Sequence, residues 1–134
     1  MAKLVLTNSV ITIGGTDVSA FVKQVQIETS VDEVETTAFG STGKTRVGGL
    51  LDTKVSLSMH QEYSATVEGL IYPLIGSTTA VVVKPNGTAV STANPSYTMS
   101  ALVVGWSPVN GAIGELASVD VSWPVSGTIT KAIV

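Results

Sequence analysis

The sequence predicts a mainly β fold: a sandwich or partly closed barrel, one flanking α-helix at about residues 63–72, and a long loop at about 38–50. Three observations carry that prediction. Thr53 to Met59 alternates, with Val55, Leu57 and Met59 apolar against polar Lys54, Ser56, Ser58 and His60, the period of two that a half-buried strand needs. Leu116 to Val125 alternates in the same way, with Ala117, Val119, Val121, Trp123 and Val125 against Ser118, Asp120, Ser122 and Pro124. Turn pairs such as Gly14-Gly15, Asn86-Gly87, Asn110-Gly111 and Ser126-Gly127 separate the strand-like runs. A chain of 134 residues favours one domain, 1–134, around one core.

Taken in order, Leu4 to Leu6 and Val10 to Ile13 read as a short strand running into the Gly14-Gly15 turn. Asp17 to Phe21 reads as a compact turn. A strand follows, with Phe21, Lys23, Val25, Ile27 and Thr29 on one side and Gln24, Gln26, Glu28 and Ser30 on the other. The apolar phase changes near Asp32, which predicts a bulge or turn at Val31-Asp32. Val34 to Thr37 forms one arm of a hairpin and Thr53 to Met59 the other, with a glycine-rich loop between them. Loops of that length inside a compact domain are usually functional or disordered.

Glu62 to Ile75 is the one helical candidate. Tyr63, Val67, Leu70, Ile71 and Leu74 recur at three- and four-residue steps, with Ser64 able to cap the start and Gly76 the end. Pro73 ends the helix near Tyr72. Thr78 to Lys84 is a Val-rich strand, Tyr97 to Val104 another, and Thr128 to Val134 closes the chain as a last strand.

Charged residues are 13% of the chain, against about 25% in typical soluble domains. Few charges on a small domain point to extensive burial against other subunits. No run of about 20 apolar residues offers a membrane span, and the first residues lack the apolar core and cleavage signal of a secretory leader. The net charge of −3 argues against nucleic acid as an attractive partner. With no cysteine and one histidine, neither a disulfide, a thiolate metal site nor a multi-histidine site can form.

Ala38 to Thr45 fits a relaxed phosphate-loop pattern ending in Gly43-Lys44-Thr45. A working phosphate loop follows a buried parallel strand and opens a helix. Here a polar arm precedes it and Gly48-Gly49 follows, so the match reads as accidental. Glu33 and Glu35 form a possible carboxylate pair but read better as an acidic strand face. His60 reads as a solvated surface residue. Trp123 belongs to an apolar strand face, whereas Trp106, between Gly105 and Pro108, is open to a loop or interface position.

The whole pattern resembles the major tail proteins that build the tail tube of long-tailed bacteriophages. The resemblance spans nearly the full length. It rests on the Asp17-Val18-Ser19 turn before the Val25-Gln26-Ile27 strand, and on the polar Val34-Glu35-Thr36-Thr37 arm running into a glycine-rich loop with Lys44 and Arg46. It continues in the return through Gly49-Leu50-Leu51-Asp52, the single mid-chain helix, and the closing Val119 to Trp123 strand with its Ser126-Gly127 turn. The resemblance implies one tail-tube-like β domain whose copies form hexameric rings stacked into a hollow tube. Each subunit then lends strands to a barrel around the channel, and the long loop reaches a neighbour through Phe39, Lys44, Arg46, Val47, Leu50 and Leu51. Glu28, Asp32, Glu33 and Glu35 are the implied channel-facing carboxylates, repelling DNA that passes as non-specific cargo.

The other implied partners are tail-tip, tape-measure and terminator proteins. The implied location is the virion tail, after synthesis in the bacterial host cytoplasm. The expectation includes no catalytic residue, metal, cofactor or membrane contact. The competing expectation is a monomeric β-sandwich binding or decoration module, whose mark would be exposed aromatics, and aromatics are only 5% of the chain.

Overall fold

In the computed structural model, which describes residues 8–61, 67–109 and 111–134, eight strands form two antiparallel sheets. The strands are β1 (Val10–Ile13), β2 (Thr16–Asp17), β3 (Val22–Glu35), β4 (Arg46–His60), β5 (Thr78–Lys84), β6 (Ser96–Leu102), β7 (Ser118–Pro124) and β8 (Thr130–Ala132). One sheet has the order β2-β1-β5-β6-β8 and the other β3-β4-β7. The chain passes between them just after β7. There Val125 donates its N–H to the Thr53 carbonyl at 2.8 Å, and Ser126 donates to the Ser100 carbonyl at 2.7 Å.

The sheets meet because each turns one apolar face inward. Ile11, Ile13, Val81, Val83, Met99 and Ala101 point from the larger sheet; Val55, Leu57, Met59, Val119, Val121 and Trp123 point from the smaller one. The register places Val55 beside both Ile27 and Trp123, and Leu57 beside Val25 and Val121, so the alternating runs lie side by side on one face. Trp123 is fully buried, and its indole N–H donates to the Gly105 carbonyl at 3.0 Å. This is the predicted β-sandwich, and the two sheets stay distinct rather than closing into a barrel.

Among the described residues the α-helical part is short. α1 (Glu68–Ile71) tightens into a 3-10 turn over Tyr72–Leu74, and Ile75 donates back to the Tyr72 carbonyl. Pro73 supplies no N–H, so the α-ladder ends there. Gly76 then takes φ +90, the left-handed conformation of a helix-ending glycine. Val67 and Ile71 are buried, and Leu70 and Leu74 pack against the core. The expected start at residues 63–66, with the Ser64 cap, lies outside the described residues, as does the strand expected at residues 4–6.

β6 ends at Leu102 rather than Val104, and β8 keeps only Thr130–Ala132 of the run expected from Thr128 to Val134. The larger difference concerns the hairpin. β4 starts at Arg46, not Thr53, so the connection is residues 36–45 rather than 38–50. Residues 46–52 do not alternate, but pairing with β3 makes them strand: Val31 opposes Leu51, Glu33 opposes Gly48, Val34 opposes Val47 and Glu35 opposes Arg46.

Candidate assembly surfaces

β4 divides into two equal halves. Between Thr53 and Met59 every second residue is buried; from Arg46 to Asp52 none is. β3 likewise loses its partly buried positions beyond Ile27. The outer halves of the two strands therefore leave the sandwich as a two-stranded arm. Seven residue steps from Thr53 to Arg46 at about 3.3 Å each carry it about 23 Å beyond the core. That equals the length β4 spends inside the sandwich.

Cross-strand hydrogen bonds close the tip of the arm. Thr36 donates its N–H to the Thr45 carbonyl at 2.8 Å, the Thr36 and Thr45 hydroxyls lie 2.8 Å apart, and the Thr45 N–H donates to the Thr37 hydroxyl at 3.0 Å. Gly40 turns the tip at φ +91. The Gly43-Lys44-Thr45 motif sits here, between antiparallel strands with no helix after it. The tip therefore lacks the strand-to-helix setting in which a phosphate loop works.

A bulge lies opposite Asp32, but its extra residue is in β4, so β3 keeps its alternation and its phase change puts Val31 and Val34 on opposite faces instead. Between the Val31–Leu51 and Glu33–Gly48 pairs β4 has one residue more than β3. Space is tight there: a Cβ on Gly49 would stand 3.2 Å from the Asp32 carbonyl oxygen and 3.4 Å from a Val34 methyl.

The register sorts the predicted residues by face. Side chains alternate along β3, so Glu33 and Glu35 share the face of Val31, while Glu28, Asp32 and Val34 take the opposite one. An ion pair between Arg46 and Glu33 fits this, because Arg46 opposes Glu35 and reaches the diagonal neighbour on the same face. The four carboxylates expected to share one wall therefore divide two and two. The structure brings others to Glu28. The outer face of the three-stranded sheet carries Gln24, Gln26, Glu28 and Ser30 from β3, Asp52, Lys54, Ser56 and Ser58 from β4, and Asp120 and Ser122 from β7. Ser58 donates to Asp120, the Ser56 and Ser122 hydroxyls lie 3.3 Å apart, and Lys54 stands 3.6 Å from Glu28. Among the described residues this face has no large apolar side chain and has three carboxylates against one ammonium group. Asp52 and Asp120 escaped the sequence reading because their partners across the sheet are distant in the chain.

The predicted apolar loop residues all lie on the arm and are exposed: Phe39 by 109%, Leu50 by 85%, Leu51 and Val47 by 54% each. Arg46 and Lys44 flank them. A second exposed apolar group has no counterpart in the sequence reading: Val109, Ile113 and Leu116, in the connection before β7. Both tryptophans are buried, so Trp106 packs into the core although it stands in a loop. His60 departs from the expected solvated position: it is half-buried, and its Nδ1 is enclosed without a hydrogen-bond partner among the described residues.

No family model matches the chain, and no curated protein matches it. In fold it is similar to a chain in the virion of a native gene transfer agent particle, with TM-score 0.65 and 15% identity over 84% of this chain and 85% of that one. It is also similar to a chain in the tail of an empty gene transfer agent particle of C6 symmetry, with TM-score 0.58 and 15% identity over 82% and 81% of the two chains. At this identity the likeness is one of fold.

Proposed function

We propose that this chain is a structural subunit of a phage-like tail whose copies associate head-to-tail into six-fold rings, stacked into a tube through which DNA passes. The observation that carries the reading is the arm: about 23 Å of paired strand with no core of its own and large apolar side chains on both faces. A monomer gains nothing from such an arm and risks aggregation through it. A neighbouring copy that covers it removes both problems. Contacts between unlike surfaces of identical subunits close into rings or continue into filaments. The similarity in fold to a chain of a C6-symmetric gene transfer agent tail supports the same reading.

The outer face of the three-stranded sheet suits a channel wall. Hydroxyl and amide groups present no sticky apolar surface, and the excess of carboxylates repels a phosphate backbone. In this reading Glu28, Asp52 and Asp120 face the channel, with Asp32 on the same side of the arm. Glu33 and Glu35 turn away from it beside Arg46. The chain performs no catalysis, and its chemistry is recognition of its own copies and of tail-tip, tape-measure and terminator proteins. The decoration-module alternative needs an exposed aromatic platform, and burial of both tryptophans weighs against it.

Negative-stain electron microscopy of the purified chain over a concentration series, alone and with tail-tip complexes, tests the proposal. Rings or hollow tubes are expected. A species that stays monomeric in both conditions overturns it.

A further inference from the structure

The two exposed apolar groups lie at opposite poles of the molecule. β4 runs from Arg46 at the root of the arm tip to His60 at the other end of the sandwich. Gln61, just past that end, clamps the connection before β7 at both of its feet. Its side-chain amide donates to the Ser107 carbonyl at 2.6 Å, and its backbone N–H donates to the Ala117 carbonyl at 2.9 Å. The intervening loop therefore sits at the pole away from the arm, and Arg46 and Gln61 are roughly 50 Å apart along the strand at about 3.3 Å per residue.

This loop is held in place from inside. Trp106 is buried just before its first foot, and Gly105 is bonded to the core indole of Trp123. With its feet fixed it turns Val109, Ile113 and Leu116 outward, exposed by 80%, 106% and 70%. The one charge between residues 103 and 117 is Glu115, and the one charge in the arm tip, residues 36–45, is Lys44.

We infer that this loop is the seat on which the arm of a second copy rests. The inference rests on the head-to-tail assembly proposed above and names its receiving surface. Copies stacked along the β4 axis bring the arm pole of one against the loop pole of the next. An apolar arm with a cationic tip then meets an apolar loop with an anionic residue. The two surfaces are antipodal, so the contact cannot close within one molecule, and between copies that point the same way it leaves an arm free at one end and a loop free at the other. It propagates along an axis.

The chain has no cysteine, which makes a cross-linking test clean. Full-length Phe39→Cys or Leu50→Cys protein is mixed with Ile113→Cys protein, assembled, and treated with a short bis-maleimide. A mixed dimer is expected in the assembled fraction and not in dilute monomer. A control Ser56→Cys protein, on the outer sheet face, should not cross-link to Ile113→Cys. Ile113→Ser should raise the critical concentration for assembly about tenfold. If rings or tubes form but neither arm cysteine links to position 113, and Ile113→Ser assembles normally, the seat is wrong and the tube reading stands. If no assembly forms, both fall.

Discussion

Replacing Leu50 by alanine separates assembly from folding. Leu50 lies on the arm, 85% exposed, so the monomer has little to lose. Substitutions at such surface positions change stability by about 0.5 kcal/mol or less. Within an assembly the same side chain is covered. Leucine to alanine removes three carbons, worth about 2.4 kcal/mol when fully buried at about 0.8 kcal/mol each. With 85% of the side chain still available for burial, about 2 kcal/mol belongs to the contact between copies. At about 1.4 kcal/mol per tenfold change, the critical concentration should rise roughly 30-fold. Pelleting across a concentration series measures it, and thermal unfolding of dilute protein measures the monomer. An unchanged critical concentration, or a monomer destabilised by as much as the assembly, would refute the argument that this arm is an interface.

Trp123→Phe should cost about 1–3 kcal/mol in thermal unfolding, because it leaves the Gly105 carbonyl without its donor in the core. Asn94→Ala should cost a similar amount, about 1–3 kcal/mol. Asn94 is buried, and its side chain accepts the Asn86 N–H at 3.0 Å and donates to the Asn86 and Thr88 carbonyls, so amide exchange at Asn86 should accelerate first. Hydrogen bonds from the Ser19 hydroxyl and then the Ser19 N–H hold the Asp17 carboxyl below its ordinary pKa. The folded form thus favours the charged carboxylate. The resulting stabilisation is present above the unfolded carboxylate value of about 3.9 and is lost as pH falls through the lower folded value. Asp17→Asn should therefore flatten the stability curve over that acid range, as followed by unfolding at stepped pH.

Much of the fold is legible in the sequence because its signals are local. Strict alternation at Thr53 to Met59 and Leu116 to Val125 marks strands with one buried face, and Gly14-Gly15 and Gly127 stand at positive φ where turn residues were expected. The break in phase at Asp32 marks the position of an irregularity but not its strand, since the extra residue lies in β4. The resemblance puts Phe39, Val47, Leu50 and Leu51 on a loop that reaches a neighbour, and the structure leaves all four exposed on the arm.

What only the tertiary structure decided is everything set by pairing between distant segments. Residues 46–52 have no strand period, and they become strand because β3 offers them backbone partners. One extra residue in β4 shifts its register with β3, and the alternation of β3 sets Glu33 and Glu35 on the face away from Glu28. Asp52 and Asp120 join Glu28 across three strands that are far apart in the chain. The loop before β7 reads as an ordinary turn-rich connection until Gln61 pins both its feet at the pole opposite the arm. Local periodicity determines which residues want to be buried; sheet register and hydrogen bonds between remote segments determine which surfaces remain for another copy to cover.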